Sequence, residues 1–180
     1  MKTFNITVSD TTAPTISCPS SLTLEATSDA GAEGTFTATA TDTVTSAPTV
    51  SYSHTSGATF PLGTTTVTAS ATDAANNSAS CAFNITVSDT TAPTLSCPSN
   101  LTLEAISSAG AEGSFSATAT DAVTSAMTVS YSHSSGATFA LGTTTVIASA
   151  ADAADNTGTC SFTVTVLDTT APQLECPANI

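Results

Sequence analysis

The sequence predicts an all-β protein built from two tandem antiparallel β-sandwiches, and three observations predict it. A shift of 79 residues lays Asp10–Ser88 on Asp89–Leu167 with 59 of 79 positions identical. Within each copy, apolar side chains alternate with Ser and Thr in short runs, the period of a half-buried strand. Gly, Pro, Asn and Asp interrupt those runs at close intervals, and no stretch shows the 3.6-residue apolar spacing of a helix.

The elements of the first copy follow in order. Thr15–Cys18 and Ser21–Glu25 form a broken first strand, with Leu22 and Leu24 on one face. Gly34–Thr41 places Phe36, Ala38 and Ala40 inward against outward Thr, and Thr49–Ser53 does the same with Val50 and Tyr52. Thr59–Leu62 is short, Thr64–Thr72 presents Val67, Ala69 and Ala71, and Ser80–Ser88 presents Phe83, Ile85 and Val87. β-Branched Thr and Val suit that pleated setting. About seven strands in a repeat of this length is the pattern of an immunoglobulin-like sandwich.

The repeat also sets the domain boundaries. FNITVSDTTAP at Phe4–Pro14 recurs at Phe83–Pro93, and again as FTVTVLDTTAP at Phe162–Pro172. Residues 1–9 therefore read as the end of a preceding repeat, 10–88 and 89–167 as whole repeats, and 168–180 as the start of a following one. The chain reads as a window on a longer array. Each five-residue DTTAP link is short, and its proline has a fixed φ and no amide donor, which stiffens the joint.

Cysteines keep the same ruler. Cys18 and Cys81 are 63 residues apart, as are Cys97 and Cys160, while Cys176 stands unpaired. Four cysteines allow three connectivities. Pairing Cys18–Cys81 and Cys97–Cys160 respects the repeat, whereas Cys81–Cys97 would staple neighbouring repeats and strand the other two. About a dozen bulky apolar residues serve each repeat, a thin core for a domain this small. A disulfide closing such a loop contributes roughly 2–4 kcal/mol. Disulfides in every repeat point to an oxidising, extracellular compartment.

Composition excludes several functions. Lys2 is the only basic residue against 14 acids, giving a formal charge of −13 and a pI near 4.1. Nucleic acid and anionic membrane surfaces both demand Lys and Arg that this chain lacks. No apolar run approaches the length of a membrane-spanning helix. Catalysis is not expected: His54 and His133 recur at strand ends, no nucleophile elbow is present, and no carboxylate pair is flanked by aromatic sugar platforms.

The ordered motifs resemble those of the hyalin repeat (HYR) family. Asp10 and Pro14 open the pattern, followed by Cys18-Pro19, Gly57 to Phe60, Leu62-Gly63-Thr64-Thr65 and Val67. Ala71-Thr72-Asp73 with Asn77, then Cys81, Phe83 and Val87, close it. The pattern departs from the family where Asn76 and Asp155 stand in place of the usual Gly before Asn, and where an aromatic often found in the middle strand is missing. The resemblance implies an extracellular immunoglobulin-like module, used in tandem and associated with adhesion, without catalysis.

The acids are the candidate site. Asp10, Glu25, Glu33, Asp42 and Asp73 recur as Asp89, Glu104, Glu112, Asp121 and Asp152. In the assumed topology, the loops after Thr41 and Thr72 lie at the pole where the chain enters a repeat, and the turn holding Glu25, Asp29 and Glu33 lies at the exit. End-to-end stacking would bring Glu25 and Glu33 towards Asp89, Asp121, Asp152 and Asp155. With almost no basic residues, these acids are hydrated, protonated or paired with metal. Ca2+ suits such an oxygen-rich, irregular site; turn capping by Asp73 and Asp89 is the competing reading.

The function expected is a semi-rigid adhesive stalk whose partners are neighbouring repeats, with other copies of the chain, surface proteins or glycans as further candidates. Two alternatives stand beside it. Unpaired strand sequences at both ends would template a self-assembling filament. A glycan- or protein-ligand-binding module would draw on Tyr52, Tyr131, Phe60 and Phe139. Four sequons, at Asn5, Asn76, Asn84 and Asn100, are possible N-glycan acceptors.

Overall fold

The computed structural model describes residues 2–176. It contains sixteen strands and no helix among those residues, and it divides into two compact units, Met1–Thr90 and Thr91–Ile180. Of the segment expected to open a following repeat, residues 177–180 lie outside the described part.

The first unit carries β1 (Thr15–Ser17), β2 (Leu22–Glu25), β3 (Ala32–Gly34), β4 (Thr39–Thr41), β5 (Thr49–Tyr52), β6 (Ala58–Phe60), β7 (Gly63–Thr72) and β8 (Ser78–Ser88). One sheet has the order β2-β8-β7-β5, and two short ribbons, β1-β4 and β3-β6, make up the remainder. The long β7–β8 hairpin is antiparallel, with Val67 opposite Phe83 and Thr65 opposite Ile85. β2 runs parallel to β8, with Leu22 beside Ile85 and Leu24 beside Val87. That parallel pair qualifies an otherwise antiparallel architecture.

The period of two decides what is buried. On β7 and β8, Val67, Ala69, Ala71, Phe83, Ile85 and Val87 are all at most 5% exposed, while the intervening Thr and Ser face outward. Burying each larger apolar side chain is worth about 1.5–3 kcal/mol. Phe36 is the hub of this core: its ring packs edge-on against Tyr52 (5.3 Å), Phe60 (6.1 Å) and Phe83 (5.1 Å). Phe60 lies so close to its ribbon partner β3 that a Cβ on Gly34 would lie 2.9 Å from its ring.

One predicted element is corrected. Gly34–Thr41 is not a single strand; it leaves β3 at Gly34 and resumes as β4 at Thr39, pairing with a different partner on each side of the break. Side chains take over from the sheet ladder in between. Ser56 Oγ accepts the Phe36 amide (2.8 Å) and donates to the Phe36 carbonyl (2.8 Å). The Ala38 amide donates to the Tyr52 hydroxyl at 2.8 Å. Buried backbone polar groups must be paired, and here two side chains pair them, so the chain can cross from one ribbon to the other.

The second unit repeats the plan with β9 (Thr94–Ser96), β10 (Leu101–Glu104), β11 (Ala111–Gly113), β12 (Thr118–Thr120), β13 (Ser130–Tyr131), β14 (Ala137–Phe139), β15 (Gly142–Ala151) and β16 (Thr157–Leu167). Its core gathers Phe139, Val146, Phe162, Val164 and Val166, with Phe115, Tyr131, Leu101 and Leu103 packed against it. Ser135 and Tyr131 bridge the corresponding strand break at Phe115 and Ala117.

The structure pairs Cys18 with Cys81 and Cys97 with Cys160, each with Cα atoms 5.9 Å apart. Each bond ties the segment after the first strand to the long final strand of its own unit. Cys176 is free and exposed.

Candidate functional site: an aspartate trio in the first repeat

The β7–β8 turn is built around Asp73, which is only 6% exposed. Its Oδ1 accepts the Asn77 amide (2.8 Å) and its Oδ2 accepts the Asn77 side-chain amide (2.8 Å). The Asp73 amide in turn donates to the Asn77 carbonyl at 3.1 Å. Asn76 closes the turn in the left-handed region at φ 67°, a conformation that Asn and Asp tolerate best among non-glycine residues. The same place is filled by Asp155 in the second repeat, at φ 66°.

A second loop comes alongside. Asp42 follows β4, and its Oδ1 accepts the amides of Val44 (2.9 Å) and Thr45 (2.7 Å). Those backbone donors hold the Asp42 carboxyl below the usual carboxylate range. Thr45 Oγ1 then accepts the Ala74 amide at 3.2 Å, joining the Asp42 loop to the Asp73 turn.

Asp10 arrives from the link. Its Oδ1 accepts the Thr12 amide (3.0 Å), and its carbonyl accepts the Asn77 side-chain amide (3.3 Å). Its Oδ2 is buried and has no hydrogen-bond partner among the described residues. Asp10, Asp42 and Asp73 can each present one carboxylate oxygen so that all three lie within 4.8 Å of one another. In the second unit Asp121 Oδ1 accepts the Val123 and Thr124 amides, and Asp152 accepts both amides of Asn156.

Three carboxylates at this separation repel, and turn amides compensate only part of that charge. A buried carboxylate oxygen with no donor is costly. Oxygen-only donors in an irregular arrangement are the chemistry of a hard divalent cation, Ca2+ above all.

The other acids singled out on the sequence have bonds or strand positions of their own. Glu25 grips the link that leaves its own repeat, accepting the Thr90 amide (2.8 Å) and the Thr90 hydroxyl (2.7 Å). Glu104 does the same to Thr169 (2.7 and 2.8 Å) and adds the Thr170 hydroxyl at 3.0 Å. These donors lower its pKa, the Thr169 amide most of all. Asp155 is the left-handed turn residue, and Glu33 and Glu112 lie in β3 and β11. The Glu–Thr clamp was not anticipated; its only trace in the sequence is the constant separation of 65 residues between Glu and Thr in both repeats.

The remaining candidates belong to the framework. Phe60 and Phe139 are 2% and 3% exposed, and both tyrosine hydroxyls are engaged by backbone amides. None of the four is displayed as a sugar platform. His54 and His133 bond the preceding serine and lie against Phe60 and Phe139.

Comparison with known proteins agrees with the sequence motifs. The HYR domain family model matches residues 9–87 and again 88–166. Hyalin of Strongylocentrotus purpuratus is 37% identical over 191 residues, covering 99% of this chain and 16% of hyalin. The chain thus spans about a sixth of that relative's length. Among solved structures, the titin domains z1z2 in complex with telethonin align with a TM-score of 0.49 at 15% identity, covering 89% of this chain and 100% of that one. Human protocadherin-24 EC1-2 aligns with a TM-score of 0.38 at 16% identity, covering 87% and 100%. With the family model matched across both repeats, this chain belongs to the HYR domain family.

Proposed function

We propose that this chain is a non-catalytic segment of an extracellular adhesive array, a semi-rigid stalk that binds Ca2+ at the trio Asp10, Asp42 and Asp73. Asp10 carries the reading: its Oδ2 is buried with no hydrogen-bond donor among the described residues, and its carboxylate groups with those of Asp42 and Asp73. A cation there would join the link, the β4 loop and the β7–β8 turn through one set of oxygens. The Glu25–Thr90 clamp fixes the link at the other end of the same repeat. Two disulfides fit an oxidising compartment. Its partners are neighbouring repeats of the array, with surface proteins or glycans as further contacts.

Thermal unfolding of the disulfide-intact chain in excess Ca2+ and in chelator tests the cation. At 100 times its dissociation constant a bound ion adds about 2.7 kcal/mol, a rise of roughly 10–20 °C for a unit of this size. Asp10→Asn should abolish the rise in the first unit. An unchanged melting curve would return the trio to turn capping and leave a stalk held by disulfides and short links.

A further inference from the structure

The sequons Asn84-Ile85-Thr86 and Asn100-Leu101-Thr102 sit at unrelated positions of the repeat: the 79-residue shift aligns Asn84 with Thr163 and Asn100 with Ser21. The fold removes the difference. In the first unit the Asn84 amide donates to Ser21 Oγ at 3.2 Å, and in the second the Thr163 amide donates to Asn100 Oδ1 at 2.9 Å. Both pairs are 63 residues apart and occupy the same place, where the residue before the parallel strand meets the middle of the long final strand. One member of each pair is asparagine in a sequon. The first repeat has it on β8, and the second has it immediately before β10.

We propose that Asn84 and Asn100 carry N-linked oligosaccharides, one per repeat, at this shared spot on the outer side of the four-stranded sheet. Both side chains are exposed. Alternation on β8 turns Phe83 and Ile85 inward and Asn84 outward. The carbonyl oxygen of each carboxamide is held by a protein donor, Thr66 Oγ1 at 3.0 Å for Asn84 and the Thr163 amide for Asn100. Held by that oxygen, each side chain directs its Nδ2 away from the donor. In the transfer, Nδ2 forms a bond to the anomeric carbon of a lipid-linked oligosaccharyl pyrophosphate. The bond from that carbon to the pyrophosphate oxygen breaks, and the amide proton is lost as the pyrophosphate leaves. Attached there, the sugar overlies the outward rows of Thr64, Thr66 and Thr86, so this sheet face is the covered one and adhesive contacts fall to other surfaces. Asn76 has no counterpart of this kind, because Asp155 replaces it in the second repeat.

The inference rests on the extracellular reading, and the test separates the two. The full chain is secreted from cultured animal cells behind a signal peptide, digested, and deglycosylated enzymatically in heavy-oxygen water, which marks each formerly glycosylated Asn as labelled Asp. The expected result is label at both Asn84 and Asn100. Asn84→Gln loses one glycan by gel mobility, and adding Ser21→Asn, which creates Asn-Leu-Thr at the partner position, restores it. A secreted, disulfide-bonded chain unlabelled at either asparagine, or a failure of Ser21→Asn to restore the glycan, overturns the proposal while leaving the extracellular reading intact. Retention inside the cell as reduced protein would overturn the extracellular reading, and the proposal with it.

Discussion

Replacing Tyr52 with Phe tests how the strand break between β3 and β4 is held. The substitution keeps the ring and its edge-on contact with Phe36 at 5.3 Å, and deletes only the hydroxyl that accepts the Ala38 amide at 2.8 Å. Ala38 is 6% exposed, so the amide loses its partner where water has little access. An unsatisfied buried donor costs about 1–3 kcal/mol, and the space left by one oxygen is smaller than the roughly 30 Å³ share of a water molecule. About 2 kcal/mol is therefore the expected loss, a fall in melting temperature of roughly 8–16 °C for the first unit. Calorimetry of the full chain measures it, with Tyr131→Phe expected to move the second unit by a similar amount because its hydroxyl accepts the Ala117 amide at 2.7 Å. In urea the midpoint should fall with the slope unchanged. If Tyr52→Phe melts within about 1 °C of the parent, the hydroxyl is not what closes the gap in the ladder.

Three further outcomes follow from the same geometry. Gly31→Ala should destabilise the first unit far more than Gly57→Ala, since a Cβ on Gly31 would meet the Phe60 carbonyl oxygen at 1.8 Å and one on Gly57 meets nothing within 4 Å; equal losses in chemical denaturation would sink that ordering. Removing the disulfides by Cys18→Ser/Cys81→Ser or by Cys97→Ser/Cys160→Ser should cost each unit about 4 kcal/mol by loop-closure entropy, equally because both loops span 63 residues; unequal losses would place the difference in packing. Asp42 and Glu104 have folded-state pKa values below their usual ones, so the stability they contribute is present at neutral pH and is lost as pH falls below about 4. Glu104→Gln should flatten that acid decline for the second unit, and an unchanged pH profile would show that its threonine bonds do not couple to folding.

The strands were legible because alternation is local. Val67, Ala69 and Ala71 on β7 and Phe83, Ile85 and Val87 on β8 announce their inward face within five residues each, and the structure buries all six side chains. The break within 34–41 was not legible, because Phe36 and Ala38 keep a strand's alternation while Ser56 and Tyr52, distant in sequence, take their backbone bonds. Periodicity reports which face is buried, and it is silent on which group satisfies the backbone. The parallel partner of β2 was hidden for the same reason: Leu22 and Leu24 look alike whichever way their neighbour runs.

The acids were legible as a set, and their separate duties were not. In a chain whose only basic side chain is Lys2, carboxylates lack ion-pair partners and turn to amides and hydroxyls. Asp42 takes Val44 and Thr45, Asp73 takes Asn77, Glu25 takes Thr90, and Glu104 takes Thr169. Scarcity of cations thus makes threonine and asparagine the donors that fix the loops, which explains why acids, Thr and Asn recur together at the turns and links of both repeats. The exception gives the rule its value. Asp10 spends Oδ1 on Thr12 in the same manner, yet its Oδ2 is buried with no hydrogen-bond donor among the described residues. That oxygen, on a residue whose carboxylate groups with those of Asp42 and Asp73, is the observation on which the proposed cation rests.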